Sequence, residues 1–161
     1  MALWNNSYET GNEIVDNDHK EIFALVEKVL SSSFTSRREK VATAVDFLAN
    51  YTVSHFQNEE KLMDESDYPL TAEHKKQHAD FLEVAMSLKQ QFSDEGFSIG
   101  ELTDDTDILH FSLEINKTVV GWLTEHVIGS DRNLANHYRL WLEKQGKPQG
   151  VPKKKGFFSR K

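Results

Sequence analysis

The sequence has no cysteine among its 161 residues. This absence excludes disulfides, thiolate-bound zinc, iron–sulfur clusters and covalently attached c-type haem. No apolar run approaches the length of about 18 residues that a membrane span requires, so no span is expected. The N-terminal residues show neither a basic start nor an apolar segment, so no signal peptide is expected and the cytoplasm is the default location. The length and a hydrophobic fraction of 38% suit one globular domain with a sizeable core.

The net charge of −7 is unevenly distributed along the chain. Residues 144–161 carry seven basic side chains and no acidic one, which leaves 12 basic and 26 acidic side chains on the rest, a balance of −14. An acidic body argues against nucleic-acid binding. We expect a domain over residues 1–144 followed by a flexible basic tail, residues 145–161. The tail is either simply solvated, or its residues 153–161 (KKKGFFSRK) dock on an acidic protein partner or an anionic membrane surface.

Helical periodicity recurs along the chain, and neither strand alternation nor an internal repeat is evident. The predicted helices cover residues 16–30, 37–66, 71–92, 108–128 and, for a shorter one, 131–144. Four long amphipathic helices joined by links predict an all-α fold, an antiparallel up-down-up-down four-helix bundle with an N-terminal arm and a short C-terminal helix.

Three details of the helices are also predicted. Thr71 is expected to be the N-cap of the third helix, and Gly129 is expected to end the fourth. The apolar stripe of the fourth helix is expected to include Leu109 and Leu113. A polar, glycine-containing connection is expected over residues 93–107, before the fourth helix.

Polar residues interrupt the apolar stripes of all four long helices. Five of the seven histidines and two carboxylates are expected to point inward: His19, His55, Glu59, His74, His78, His126 and Asp131. One core histidine alone usually just bonds a backbone carbonyl, and one HxxxH pair is a weak signal. Burying an unpaired imidazole costs a few kcal/mol and an unpaired carboxylate costs more, so seven such groups must compensate one another or bind a cation. The complete ordered set favours a metal site, whereas His110 and His137 lie outside the pattern as ordinary structural or surface residues.

The ligand types indicate which metal would bind. Seven ligands are too many for one tetrahedral zinc ion. Imidazole together with carboxylate suits iron, and two bridging carboxylates suit a pair of ions. If three histidines bind one iron and two bind the other, with both carboxylates and a solvent oxygen bridging, one iron has six ligands and the other keeps an open position for a small diatomic ligand.

Several motifs together resemble those of one family. The N-terminal pattern W…Y…G…I-x-D-x-x-H is formed by Trp4, Tyr8, Gly11, Ile14, Asp16 and His19. The stretches HFQNEEKLM, EHKKQH and WLTEHVIGSD complete a set that spans roughly residues 4–141. The sequence resembles the hemerythrins, specifically the bacterial hemerythrin-like proteins.

The resemblance implies a cofactor and a division of the ligands. Two non-haem iron ions with an oxo or hydroxo bridge would be held, one by His74, His78 and His126, the other, with the open position, by His19 and His55. Glu59 and Asp131 would bridge the two ions.

The resemblance also implies an apolar pocket around bound dioxygen. Its positions here are Trp4, Ile22, Phe56, Trp122, Leu123 and Val127, and their ordinary interpretation is core packing. The family often has isoleucine where this chain has Val127, and the smaller side chain is expected to loosen the pocket.

Three functions follow from the resemblance in order of preference. Reversible dioxygen binding, for storage, delivery or scavenging, comes first, because five imidazoles and only two carboxylates favour reversible binding over O–O cleavage, and no free acid or base is expected on an inward stripe. A sensor that signals oxygen or redox state to a partner through the basic tail is the second. A di-iron oxidase, a peroxidase or a nitric-oxide-consuming enzyme is the third, so nitric oxide is a possible further ligand and azide an exogenous one.

Overall fold

Helices make up most of the computed structural model, which describes residues 3–31, 34–94 and 105–147. The long helices are α1 (Glu13–Leu30), α2 (Phe34–Glu65), α3 (Thr71–Asp94) and α4 (Asp105–His126), and the shorter α5 is Arg132–Lys144. A 3-10 turn, Asn6–Tyr8, precedes α1, and a π-helical turn, Val127–Asp131, joins α4 to α5. The predicted all-α helical bundle is confirmed.

Ion pairs between α2 and α3 show that these helices run in opposite directions. Asp64, at the end of α2, lies 3.2 Å from Lys75 at the start of α3. Lys89, late in α3, lies 2.9 Å from Asp46 in the first half of α2. Pairing of the end of one helix with the start of the next is the signature of an antiparallel hairpin.

Ring contacts give the same orientation for the neighbouring helix pairs. His19, early in α1, packs edge-on against His55, late in α2, with 4.9 Å between ring centroids. Phe92, at the end of α3, lies 5.7 Å from Phe111, early in α4. Consecutive long helices therefore alternate in direction, and the starts of α1 and α3 meet the ends of α2 and α4 at one end of the bundle.

The apolar core fills the bundle between the four long helices. Its buried members include Phe23, Val26, Val41, Leu48, Phe81, Leu88, Phe111, Ile115 and Val119. Burial of this kind contributes about 1.5–3 kcal/mol per large side chain. This core holds the four long helices in place, and the polar residues project from one end of them.

The start of α1 and the cap of α3 differ from the prediction. Helix α1 begins at Glu13 because the Asn12 side chain caps it, its oxygen accepting from the amides of Ile14 at 3.1 Å and Val15 at 3.4 Å. The prediction that Thr71 caps α3 is wrong. Thr71 is the first residue of that helix, and its hydroxyl donates to the carbonyl of Tyr68 at 2.6 Å.

The predicted stripe of α4 is rotated at its start. Leu113 is 49% exposed and Leu109 is only partly buried, whereas Ile108, Phe111 and Ile115 are buried. Apolar residues occupy more than one face of this first half, so periodicity alone could not choose between the faces.

Two predicted features fall wholly or mostly outside the described residues. The connection over residues 93–107 is described only at its ends, and the tail over residues 145–161 only as far as residue 147. Within the described ranges, no helix combines the length and the apolar character needed to cross a membrane.

Candidate metal centre

All seven predicted ligands meet at the end of the bundle where α1 and α3 begin and α2 and α4 end. None of them is more than 4% exposed. They come from every long helix and the π-helical turn: His19, His55, Glu59, His74, His78, His126 and Asp131. The antiparallel arrangement thus brings together residues that are separated by as much as 112 positions in sequence.

The seven side chains form two donor groups that share both carboxylates. Within each group, one ligand atom per residue lies within 4.8 Å of all the others. The larger group is Glu59, His74, His78, His126 and Asp131, and the smaller is His19, His55, Glu59 and Asp131. Three imidazoles therefore face one half of the cluster and two face the other.

Short distances within the cluster join atoms that carry lone pairs. The His78 Nε2 atom lies 3.1 Å from Glu59 Oε2. The Nε2 atoms of His19 and His126 each lie 3.0 Å from an oxygen of Asp131. Carboxylate and imidazole donors that converge in this way on a buried site are the arrangement that a bound cation requires.

Unpaired polar atoms concentrate in this cluster. Among the described residues, all but one of the buried side-chain nitrogen and oxygen atoms without a hydrogen-bond partner belong to the seven, and the exception is Asn116 Oδ1. Both oxygens of Glu59 and the Nε2 atoms of His19, His55 and His78 are among them. Native proteins rarely leave such atoms unsatisfied, so the residues present fit a metal ion, which would satisfy several at once.

The π-helical turn explains how Asp131 reaches the cluster. His126 and Asp131 are five residues apart, and five residues of a regular α-helix would place them about 140° apart around the axis. The wider turn over Val127–Asp131 brings them to one face, with Nε2 and Oδ1 3.0 Å apart. The prediction that the helix ends at Gly129 is wrong, because the backbone continues through the turn directly into α5.

Three histidines of the cluster have a side-chain partner on Nδ1 that sequence reasoning missed. The Nδ1 atom of His126 lies 2.9 Å from the Gln77 side-chain oxygen, and that of His78 lies 3.2 Å from Glu60. A third partner, Asp18, lies 3.4 Å from His55 Nδ1. Acceptors at Nδ1 fix the tautomer that leaves the Nε2 lone pair free for a metal.

Two acids that were not predicted to point inward are buried in α1. Asp16 is 7% and Asp18 is 3% exposed. Asp16 accepts from the backbone amide and hydroxyl of Thr10 at 2.7 and 2.8 Å and from the amide of Gly11 at 3.1 Å, which ties the N-terminal arm to the helix. Both carboxylates therefore accept hydrogen bonds from neighbouring residues.

The residues predicted to line an apolar pocket either contact a histidine of the cluster or lie in the adjoining core. Phe56 stacks on His78 with 3.8 Å between centroids, and Trp122 stacks on His126 at 4.2 Å. Trp4, in the N-terminal arm, lies 6.4 Å from His19. The other three are buried in the adjoining core: Ile22, Leu123 and Val127. Their role around a ligand stays a prediction.

The two remaining histidines lie outside the cluster. His110 is exposed on α4. The His137 Nε2 atom lies 2.9 Å from the backbone carbonyl of Ser66, which links α5 to the end of α2. Neither residue contributes to the two donor groups.

Burial controls the protonation of the cluster. It lowers the pKa of His55 and takes the pKa of His78 to about 2, so both imidazoles are neutral. Burial, reinforced by the charge of Asp131, raises the pKa of Glu59 well above its usual range. For Asp131, burial also acts to raise the pKa, but His126, His19 and His74 together hold it well below its usual range. A metal that bound Glu59 would therefore displace a proton.

These shifts predict that the metal-free protein loses stability on acidification. His55 and His78 resist protonation when folded but accept a proton near pH 6.5 when unfolded, so stability falls as the pH drops below that value. Glu59 acts in the opposite direction. Because its pKa is raised in the folded state, the folded state binds this proton at a higher pH than the unfolded state, which offsets the effect of about one histidine. We therefore expect a net loss of stability as the pH falls from about 6.5 to 5, and the loss should become steeper toward the lower pH.

Urea denaturation of the metal-free protein across this range measures the slope. His78→Gln removes one of the two histidines that cause the loss of stability, so the free energy of unfolding should depend less steeply on pH. A wild-type protein that gains stability on acidification would contradict the assignment.

The fold and the cluster define a class, helical bundles that hold metal between side chains projecting from facing helices. The family model described as the hemerythrin HHE cation binding domain matches residues 10–137. The chain belongs to the hemerythrin family. The resemblance inferred from the sequence motifs is thereby confirmed.

Curated relatives cover nearly the whole domain. A bacteriohemerythrin from Stenotrophomonas maltophilia is 26% identical over 88% of this chain and 84% of the relative. Bacteriohemerythrins from Clostridium acetobutylicum and Methylococcus capsulatus are 27% and 29% identical, over 82% and 78% of this chain and 97% and 86% of the relatives. The family-model match over residues 10–137 includes the part of every helix that contributes to the cluster.

Proposed function

We propose that this protein binds dioxygen reversibly at a non-haem di-iron centre, for oxygen storage, delivery or scavenging. The observation that carries the proposal is the pair of buried donor groups that share Glu59 and Asp131. Two shared carboxylates suit two neighbouring ions, and imidazole with carboxylate suits iron.

The two groups would hold the two ions unequally. His74, His78 and His126 would bind one iron and His19 and His55 the other, with the carboxylates common to both. The smaller group offers one imidazole fewer, so its iron keeps a position for an exogenous ligand. When bound, the reduced pair would supply two electrons to dioxygen, one from each ion.

The apolar residues beside the cluster support reversible binding. Ile22, Phe56, Leu123 and Val127 are each at most 3% exposed, and Trp4 covers the side of His19. Such side chains exclude water and extra protons, which would otherwise promote the irreversible loss of reduced oxygen.

The chemistry of the donor set supports a binding protein over an enzyme. Five imidazoles and two carboxylates supply little of the anionic oxygen ligation found in ferritin-like di-iron proteins, whose sites are rich in glutamate. The two further buried acids, Asp16 and Asp18, are both hydrogen-bonded to neighbouring residues. Neither is thus placed as a free acid or base for substrate chemistry.

Anaerobic loading with iron(II), followed by exposure to air, tests the proposal. Two irons per chain and a visible charge-transfer band that disappears on degassing are expected, with one dioxygen taken up per iron pair. An enzyme would instead consume dioxygen together with electrons from a donor. Iron-loaded protein that stays colourless in air would overturn the proposal.

Val127→Ile is expected to prolong the oxygenated state. Val127 is fully buried in the core cluster beside the histidines, and one added methyl group should tighten that packing against water. The lifetime of the visible band in air should increase, by about twofold or more, with iron content unchanged. Because overpacking is also possible in a dense core, the melting temperature is measured in parallel. A shorter lifetime in a variant of unchanged stability would contradict the expectation.

A further inference from the structure

The partners of the three histidine Nδ1 atoms differ in charge and exposure. His126 faces the neutral amide oxygen of Gln77, which also accepts from the Ser130 hydroxyl at 2.6 Å. His78 faces a carboxylate, Glu60, whose side chain is 32% exposed. His55 alone of these three faces a carboxylate buried in the bundle, Asp18, which is 3% exposed.

Asp18 is an acceptor for three converging groups. The Tyr51 hydroxyl donates to its Oδ1 at 3.0 Å, and the Asn58 side-chain amide donates to its Oδ2 at 3.2 Å. The His55 Nδ1 atom lies 3.4 Å from the same Oδ2. Burial, with the charge of Asp18, raises the pKa of Tyr51, so its hydroxyl keeps the proton that it donates. An ionised carboxylate can accept all three bonds, which a neutral amide of the same shape cannot.

The orientation of His55 follows from this network. With Nδ1 carrying the proton toward Asp18, the Nε2 lone pair faces the cluster, where it lies 3.7 Å from Glu59 Oε1. A buried negative charge behind the ring also makes the imidazole a stronger electron donor to a metal on its other side.

The comparison with His78 shows why the two halves of the centre differ. Glu60 lies 3.7 Å from the Lys75 ammonium group, which offsets its charge, and solvent screens it further. Asp18 is buried, so its charge is screened much less.

We propose that Asp18 is a positioning residue for His55, which fixes the metal-binding tautomer and strengthens electron donation to the iron that has the open position. That iron therefore binds an added anion more weakly than it would with the same ligands but without the charge of Asp18. The inference rests on the proposed di-iron function, although its first test needs no metal.

Nitrogen-15 NMR of the metal-free protein tests the tautomer. The wild-type His55 ring should show one tautomer, protonated at Nδ1, with its signals assigned by their absence in His55→Gln. In Asp18→Asn the His55 signals should move toward the other tautomer, whereas Glu60→Gln should leave them unchanged. A wild-type ring protonated at Nε2, or an Asp18→Asn ring with unchanged signals, would overturn the proposal.

Azide titration of the oxidised, iron-loaded proteins tests the electronic effect. We expect Asp18→Asn to lower the azide dissociation constant about tenfold and to raise the midpoint potential, by about 59 mV if the same tenfold factor applies to a one-electron step. Glu60→Gln, the matched carboxylate-to-amide change at the other iron, should alter azide binding less than twofold. Equal effects of the two substitutions would overturn the inference.

A further variant separates the charge from the hydrogen bonds. Tyr51→Phe removes one donor but leaves the carboxylate, so the His55 tautomer should be retained and azide should bind no more tightly than to wild type. Loss of that tautomer in Tyr51→Phe would overturn the assignment to Asp18. Far-UV circular dichroism and iron content confirm that each variant is folded and loaded. If wild-type protein binds fewer than two irons the proposed function fails, whereas normal wild-type behaviour with unchanged Asp18→Asn tautomer and azide affinity defeats this inference alone.

Discussion

Glu59→Gln should abolish the proposed binding of two iron ions and at the same time stabilise the metal-free protein. Glu59 belongs to both donor groups, so its loss weakens both halves of the centre, and a neutral amide is a poor substitute for a bridging carboxylate. The metal-free protein gains because burial and Asp131 make an ionised Glu59 costly. The amide nitrogen of a glutamine could instead donate to the His78 Nε2 atom, which lies 3.1 Å from Glu59 Oε2.

Iron content and urea denaturation measure the two halves of this prediction. Iron should fall from two to fewer than one per chain, with loss of the visible band. The free energy of unfolding of the metal-free protein should rise by about 1–2 kcal/mol at neutral pH. Asp64→Asn is the control, a carboxylate-to-amide change at an exposed side chain of the same helix, and should retain both irons. A Glu59→Gln protein that still bound two irons would contradict the proposal that both ions share the Glu59 carboxylate.

Metal binding would explain why the fold contains so many buried polar groups. Nearly all the unpaired buried nitrogen and oxygen atoms of the described residues lie in one cluster, and the rest of the bundle has an ordinary apolar core. A metal that bound only the folded state would recover the cost as binding free energy. The folded metal-free protein is therefore expected to be the less stable form.

The positions of the predicted ligands could be read from the sequence because their spacing is local. His55 and Glu59, like His74 and His78, lie one helical turn apart, so amphipathic periodicity alone places each pair on one inward face. His126 and Asp131 are different. Their five-residue spacing does not match an α-helix, and Gly129 between them predicts a helix end. Only the backbone shows the π-helical turn that makes the spacing work.

The hydrogen-bond partners at Nδ1 were missed although part of the signal was present. Asp18 follows the buried Val15 by three residues and precedes the buried Ile22 by four, so it lies on the inward stripe of α1. Acidic residues are rarely buried, so an aspartate on this stripe does not by itself predict an inward side chain. That Asp18 faces His55 of α2 depends on how the two helices are packed, and local periodicity does not determine this.

Phe56→Ala should separate the packing around the centre from metal binding itself. Phe56 is 3% exposed and stacks on His78, so truncation should cost about 3–5 kcal/mol of stability and open space for water beside the histidines. Because no donor is removed, two irons should still bind, but the visible band should decay several-fold faster in air. Phe111→Ala is the control, since Phe111 is equally buried but lies at the other end of the bundle, 5.7 Å from Phe92. It should cost similar stability with a smaller change in band lifetime, and equal lifetimes in the two variants would show that the Phe56 ring does not shield the centre.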